Sequence, residues 1–391
     1  MTATPAAALL SHLRARQGEM VALLADLARL ESPSHDAAAQ GPVLDRLAAE
    51  LAACGLAVRR LAGRTSGGQL WATPPRRAEQ QRSPAQLLLG HCDTVWPRGT
   101  LARLPVAERD GALTGPGVFD MKGGLVQGVF ALRALAELGL APPLSPVFFI
   151  NSDEEVGSAD SVVRLLRIAR AVRRIFVLEP ALGPEGRLKT RRKGSLRFDV
   201  RVCGVEAHSG LDPDKGASAV RELADVVGRL YQLADPGRGT SVNVGVIEGG
   251  TRRNVVAAAA RAEVDVRVLT AADAAAVERA VRGLQARTPG TRLEVTGGMD
   301  RPPLEATPGN RGLWEAAQRA AAELGIALGE GTAGGASDGS LTSPFTPTLD
   351  GLGAVGDGAH ALHEHVRVDR LPERSALLAL LLLQPEPGAR I

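Results

Sequence analysis

The sequence predicts an α/β protein built on a mostly parallel sheet, interrupted by a smaller inserted α+β domain. Three observations carry this expectation. Short apolar runs bounded by turn residues ("AQLLLG", "SPVFFIN", "RRIFVLEP") alternate with amphipathic stretches, the grammar of parallel strands buried under helices. From about Lys189 the pattern changes to strict apolar/polar alternation in "SLRFDVRVCGV", which reads as a half-exposed antiparallel strand. After residue 302 a helix, glycine-rich loops and the apolar "RLPERSALLALLLL" restore the first pattern.

Taken in order, residues 8–30 read as one amphipathic helix and "PVLDRLAAELAACGL" as a second, stopped near Gly55. Between the first two apolar strands, "MKGGLVQGVFALRALAELG" reads as a helix ended by Gly139. The Arg/Pro/Gln-rich "PPRRAEQQRSPA" reads as a surface loop. In the inserted segment the alternating strand is followed by a helix ("SAVRELADVVGRLYQLA") and two strands ("TSVNVGVIEGG", "RNVVAAAARAEVDVRVL"). A helix ("AADAAAVERAVRGLQAR") and the strand "TRLEVTG" complete it. The order β-α-β-β-α-β is that of a ferredoxin-like unit, and "GPEGR" and "GGMDRPP" are its expected hinges. The expected division is 1–186 and 299–391 for the main domain and 187–298 for the insertion.

Composition narrows the function. The chain has 391 residues, too many for one ordinary core, with 45% hydrophobic and 23% charged residues. A formal charge of +3 and 3% aromatics give neither the field nor the stacking platform of a nucleic-acid binder. Cys54, Cys92 and Cys203 form no CxxC pair and no disulfide framework, which fits a reducing cytoplasm. The N-terminus lacks the basic start of a signal peptide, and no apolar run reaches the ~18 residues of a membrane span.

Three apolar strands end in acids or imidazoles: "LLLG" in His91 and Asp93, "FFIN" in Asp153, Glu154 and Glu155, "IFVL" in Glu179. Ligands of open α/β sheets bind outside the carboxyl ends of the strands. The glycine-rich "TGPGVFDMKGG" adds Asp120, and "GDGAHALHEHV" adds His360. Clustered bare carboxylates repel one another, and divalent cations remove that penalty. Imidazole with carboxylate oxygen suits zinc, usually as a pair sharing a carboxylate. Alternatives stand beside each assignment. His91 with Asp93 is by itself also a polar turn, "DEE" a solvated acidic turn, and Cys92 a small buried residue rather than a soft ligand. His363 and His365 compete with His360 for the metal, while His12 and His35 have no supporting acids.

"GHCDTV", "GPGVFDMKGG", "NSDEEVGS", "LEP", "EAHSG" and "GDGAH…E" stand in the order and rough spacing of a known family. Over nearly the whole chain the sequence resembles the co-catalytic zinc exopeptidases that include carboxypeptidase G-type glutamate carboxypeptidases. Aminoacylases, acetylornithine deacetylase and succinyl-diaminopimelate desuccinylase belong to the same family. The resemblance implies a zinc-exopeptidase catalytic domain with a lid or dimerisation insertion, and two zinc ions per subunit, with cobalt or manganese as other loadings. It implies His91 and Glu179 on one ion, Glu155 and His360 on the other, and Asp120 bridging, with a cis peptide after Asp120. The histidine four residues before Glu364 is what selects His360.

The same resemblance makes Asp93 the orienting acid of His91 and Glu154 the general base. His208 becomes an oxyanion donor serving the partner subunit of a homodimer; packing between strand and loop is its other reading. Lys193, Asn254, Arg267, Gly335 and Ser337 fall at substrate-contact positions. The competing readings there are a solvated basic run (Arg187, Lys189, Arg191, Arg192, Lys193), a strand-surface ion pair for Arg267 and an ordinary turn for "GGASDGS". The implied activity is metal-dependent hydrolysis of an amide beside a free carboxylate, most simply a glutamate carboxypeptidase acting on folate-like or N-acyl glutamates. An N-acyl-amino-acid deacylase or dipeptidase is the alternative. A catalytically dead binding protein is disfavoured, because all of these ligand positions and the base are filled. The expected partners are thus a small-molecule substrate and a second copy of the chain, with no nucleic acid and no membrane.

Overall fold

The structure, a computed structural model, describes residues 4–75 and 84–385, so most of the expected Arg/Pro/Gln-rich loop (76–83) lies outside the described residues. The chain forms two compact units. One comprises residues 1–190, 306–332 and 337–391, and the other residues 191–305 and 333–336.

The first unit begins with α1 (Pro5–Arg14), α2 (Gln17–Arg29) and α3 (Gln40–Ala53). The expected single helix over 8–30 is therefore two. Arg16 leaves helical geometry (φ −109°, ψ 11°) and its guanidinium reaches Glu137 at 2.6 Å, which lets Leu9/Leu13 and Met20/Leu24/Leu27 bury separate faces. Then follow β1 (Ala57–Leu61), β2 (Gln69–Thr73), β3 (Ala85–His91), β4 (Ala107–Arg109), β5 (Ala112–Thr114) and α4 (Gly123–Glu137). After them come β6 (Ser145–Asn151), α5 (Val162–Ala169), β7 (Ile175–Val177) and β8 (Leu188–Arg192).

The second unit holds β9 (Gly194–Cys203), α6 (Ala219–Tyr231), β10 (Ser241–Gly249), β11 (Ala259–Val268), α7 (Ala271–Arg282) and β12 (Arg292–Arg301). The chain returns through α8 (Pro308–Glu323), β13 (Glu330–Ala333), α9 (Asp338–Thr342), β14 (Thr348–Leu349), β15 (Gly356–Asp357), β16 (His365–Arg367) and α10 (Leu371–Leu383).

The main sheet has the order β1-β2-β6-β3-β7-β14. β6, β3, β7 and β14 are parallel, and the antiparallel β1 and β2 are added at one edge. Residues of β3, β6 and β7 are apolar on both faces because helices cover both, α4 on one and α5 on the other. α4 and α10 are buried nearly all round and pack on each other, with α1 against α10. Close approach explains one glycine of α4: a Cβ on Gly124 would sit 1.9 Å from the Leu178 carbonyl oxygen, so the helix start lies directly on the end of β7. A small antiparallel sheet, β15-β16-β5-β4, faces residue pairs such as His365 with Thr114.

In the second unit all four strands are antiparallel in the order β10-β11-β9-β12, with β10 and β12 as edges. Alternation buries Leu196, Phe198, Val200 and Val202 against Leu223, Val226 and Leu230 of α6 and Val277 and Val281 of α7. The expected hinge "GGMDRPP" is a strand through Arg301. Gly297 and Gly298 pair with Phe198 and Arg197, and a Cβ on Gly297 would meet the Arg197 oxygen at 2.1 Å. The basic run at the start of the insertion is not a solvated face either, since Lys189 and Arg192 are buried.

Arg374 of α10 is 2% exposed and donates to three backbone carbonyls, Gly353 (3.2 Å), Gly186 (2.9 Å) and Gly351 (2.6 Å). It ties the last helix to the loop that follows β14. Replacing it with leucine keeps the stem but leaves those carbonyls without their donor. We expect Arg374→Leu to lower unfolding stability by about 3 kcal/mol, read as a fall in urea midpoint at unchanged slope. An unchanged midpoint would show that the clamp contributes nothing.

Candidate metal centre

Three neighbouring parallel strands deliver the candidate residues to one edge of the sheet. His91 is the last residue of β3, Glu154 and Glu155 follow β6 in a single helical turn (Glu154–Val156), and Glu179 follows β7 by two residues. Adjacent strands are ~4.8 Å apart, so in-register strand ends bring their following side chains within reach of one cation. Asp120 comes from the turn Val118–Lys122 before α4, where the Asp120–Met121 peptide is cis, as the sequence resemblance implies. His360 comes from the loop between β15 and β16, with φ 61°.

The donor atoms converge in two groups, His91/Asp120/Glu179 and Asp120/Glu155/His360, each with its ligand atoms within 4.8 Å of one another. His91 Nε2 lies 3.4 Å from Asp120 Oδ1 and 3.4 Å from Glu179 Oε1. His360 Nε2 lies 3.5 Å from Asp120 Oδ2 and 3.2 Å from Glu155 Oε1. The two oxygens of Asp120 thus face two different imidazoles, which is the placement of a bridging carboxylate.

His91 Nε2 and Asp120 Oδ1 are buried and make no hydrogen bond. The other ring nitrogen, Nδ1, lies 3.1 Å from the Asp93 carbonyl oxygen and 3.3 Å from its Oδ1, so it carries the proton and leaves a lone pair on Nε2. A nitrogen lone pair facing two carboxylate oxygens needs a proton or a metal ion between them. The residues therefore fit a divalent cation with a nitrogen and oxygen donor set.

Without a metal, protons do this work. Burial disfavours a charged His91, but the facing carboxylates of Asp120, Asp93 and Glu179 outweigh it and hold the ring well above its ordinary pKa. Asp120 and Glu155 push His360 up to about 10. Burial would raise Asp120, but His360 and His91 hold it well below the usual carboxylate range. Glu155 goes up, chiefly because it is buried.

Asp93 is fully buried and does more than orient His91. Its Oδ1 accepts the Glu154 amide (3.3 Å), and its Oδ2 accepts the Glu155 amide (3.2 Å) and the Ser34 hydroxyl (2.8 Å). Glu154 and Glu155 leave a helical turn rather than a strand, and the turn itself separates their directions. Glu364, which entered the sequence reading only as a spacing mark for His360, is an anchor. It is fully buried and accepts from Trp96 Nε1 (2.8 Å), Gly117 N (3.0 Å), Phe119 N (3.0 Å) and Asp120 N (3.1 Å). Burial pushes its carboxyl up against those four bonds. Lys189 is a second residue the sequence did not single out, with Nζ 3.9 Å from Glu179 Oε2. No signal separated it from its neighbours in the basic run, of which Arg191 is exposed and Arg187 and Lys193 are half-buried.

The remaining candidates divide between the units. Ser337 is in the first unit, buried, donating to Asp350 Oδ2 (2.6 Å) and capping α9 through the Gly339 amide. His208, Asn254, Lys193, Arg267 and Gly335 belong to the second. His208 is exposed, and its Nδ1 accepts the amides of Gly210 (3.1 Å) and Leu211 (3.0 Å), which leaves Nε2 as the donor. Asn254 is exposed and Lys193 half-buried. Arg267 spends its fork on Asp265 of the same strand (2.7 and 2.9 Å), and the Gly335 carbonyl accepts from Arg192 (3.2 Å). Cys92 lies in the core, its thiol pushed up to about 12 by burial. Among the described residues no helix is long and apolar enough to cross a membrane.

Known proteins are similar to this chain in sequence and in fold. The chain is 27% identical over 377 residues to carboxypeptidase G2 of Pseudomonas sp. (strain RS-16), covering 95% of this chain and 90% of that protein. It is 30% identical over 388 residues to succinyl-diaminopimelate desuccinylase of Dinoroseobacter shibae, covering 93% and 98%. Among solved structures, aminopeptidase PepT of Bacillus cereus superposes with a TM-score of 0.76 at 22% identity, covering 94% and 98%, a likeness of fold. The family model described as peptidase family M20/M25/M40 matches residues 87–384, which takes in every strand end and loop of the cluster except the N-terminal Ser34 contact. The chain therefore belongs to peptidase family M20/M25/M40 and is a metal-dependent hydrolase of the peptidase and amidohydrolase kind.

Proposed function

We propose that the chain cleaves an amide bond beside a free carboxylate, as a glutamate carboxypeptidase acting on folate-like or N-acyl and peptidyl glutamates. The observation that carries the reading is the carboxylate and imidazole cluster at the ends of β3, β6 and β7, on a chain similar to carboxypeptidase G2 over 95% of its length. The likeness to a succinyl-diaminopimelate desuccinylase supports a second reading, an N-acyl-amino-acid deacylase or dipeptidase.

In this reading His91 and Glu179 hold one zinc ion, Glu155 and His360 the other, and Asp120 both, with cobalt or manganese as substitutes. Bound there, the ions would acidify a water and polarise the scissile carbonyl. The chain supplies the rest. Asp93 keeps the His91 proton on Nδ1, and Glu364 keeps the Asp120 turn in place. Glu154 takes a proton from the attacking water and returns it to the leaving amine. Lys193, Asn254, Arg267, Gly335 and Ser337 are proposed substrate contacts. For Arg267 this requires exchanging Asp265 for the substrate carboxylate. The chain is further proposed to act as a homodimer through the second unit as lid and dimerisation domain, ferredoxin-like in order, with His208 Nε2–H donating to the partner's oxyanion. Edge strands β10 and β12 offer backbone groups for such pairing.

A hydrolysis screen of N-acyl and peptidyl amino acids with the zinc-loaded protein tests the reaction: glutamate derivatives should show the highest kcat/KM. Preference for another amino acid would favour the deacylase or dipeptidase reading. Glu154→Gln should keep its metal content while turnover falls by roughly 10²–10⁴. Loss of metal instead would mean that residues 154 and 155 have exchanged roles. Metal binding should also release protons. His91 and His360 are held protonated near neutrality in the metal-free protein, so zinc must displace those protons, and affinity should rise from pH 6 to pH 8. Calorimetry in buffers of different ionisation enthalpy reads the release; affinity independent of pH would count against these ligands. Finally, mixing inactive His208→Ala with inactive Glu154→Gln under subunit exchange should restore activity, since mixed dimers hold one intact site. No recovery despite demonstrated exchange would sink the shared site.

A further inference from the structure

The proposed reaction leaves Lys189 without a role, yet the first unit buries it beside a proposed ligand. Lys189 is 8% exposed, and its Nζ lies 3.9 Å from Glu179 Oε2. The other oxygen of that carboxylate, Oε1, is the one that faces His91. Glu179 thus stands between an imidazole and an ammonium.

A cation loses its hydration on burial, so its place has to be enforced. One loop does this for both partners. Lys189 N donates to Asp350 O (2.9 Å), and Gly351 (φ 78°) lies on the lysine stem: a Cβ there would sit 2.8 Å from Lys189 N and 3.0 Å from Lys189 Cγ. Two residues on, Gly353 N donates to Glu179 O (2.8 Å). Arg374 holds the carbonyls of both glycines. The lysine and the glutamate are therefore fixed by the same short segment.

This makes the two ligand groups unlike. The charges that act most on Glu155 and His360 are each other, Asp120 and His91, and the His360 side chain is 50% exposed. The His91/Asp120/Glu179 group is more enclosed, with an ammonium beside it whose charge also helps to hold Asp120 down. Without a metal, that ammonium offsets a carboxylate. Beside a divalent cation it would repel the ion and draw electron density from Glu179, leaving a weaker donor. Both effects have the same sign, and burial keeps water and salt from screening them.

We infer that Lys189 is a positioning residue of the metal centre, whose ammonium, set against Glu179 Oε2, selectively lowers the affinity of the His91/Glu179 group for a divalent cation. The inference rests on the ligand assignment above and adds to it a residue that makes the two ions unequal. The ion beside Glu179 is then more electron-poor, and a stronger Lewis acid, than its ligands alone would make it.

The test is zinc titration of the full-length metal-free protein near neutral pH against a competing chromophoric chelator, which reads affinity without turnover. Lys189→Met should raise one of the two zinc affinities by about tenfold or more and leave the other within about threefold. Lys189→Gln, which keeps a polar end should the methionine prevent folding, should do the same. Lys189→Arg keeps the charge and should leave both affinities within about threefold of the unaltered protein. The gain should persist when His360→Ala has removed a ligand of the other group. A lysine that only packs would lose affinity on replacement, so a gain separates the two roles. Affinities unchanged or lowered in the neutral variants, a gain shared equally by both ions, a gain lost with His360→Ala, or the same gain with arginine would each overturn the inference and leave the metal centre standing. No zinc bound by the unaltered protein would instead overturn the ligand assignment, and the inference with it.

Discussion

The geometry of the candidate site depends on the buried carboxylate of Asp93 more than on any of the proposed ligands. That group lies against the ring of His91 at the end of β3 and against two consecutive amides after β6. It converts two parallel strand ends into one rigid platform. A buried carboxylate is tolerated only when hydrogen-bonded, and here every bond it accepts fixes something the chemistry needs: the tautomer of His91, the turn bearing Glu154 and Glu155, and the Ser34 segment. Removing it would leave the ligand side chains present but no longer aimed.

Around that platform the electrostatics are those of a cluster assembled for a cation. Asp120, Glu155 and Glu179 converge with two imidazoles and the Lys189 ammonium, 3.9 Å from Glu179, to offset them. Held protons can balance these charges, which is why both histidines are pushed up. A divalent ion would balance them better, because it would also satisfy His91 Nε2 and Asp120 Oδ1, two buried atoms of the cluster that hydrogen bonding leaves out.

The strand ends were legible because their signal is local: an apolar run that must be buried, followed at once by an acid or imidazole that cannot be, as in "LLLGHCD" and "FFINSDEE". The helix starting at Gly123 was legible for the same reason, as was the alternation that buries Phe198 and Val200. What the sequence hid was long-range. Gly297 and Gly298 looked like a hinge but sit inside a strand, and at Gly297 a neighbouring backbone passes too close for any side chain. Lys189 and Arg192 looked solvated within a basic run, and nothing local marks them as buried. Glu364 was visible as a spacing but not as the acceptor of four donors, three of them about 245 residues away in the chain. Arg16, where the first helix breaks, likewise pairs with Glu137, over a hundred residues on.

Glu364 also joins the Trp96 segment to the candidate metal centre, since one carboxylate accepts from both the Trp96 indole and the Asp120 amide. The two parts of the site are therefore not equally free to change. Altering Trp96 disturbs a buried acceptor whose other bonds hold the Asp120 turn, so a change made there reaches the candidate metal centre as well. Val95 and Val156 touch no such network; they are half-exposed, and Val156 adjoins Glu155 only through the chain. Of the residues beside the cluster, these two valines are therefore the ones that can change without touching the bonds Glu364 accepts.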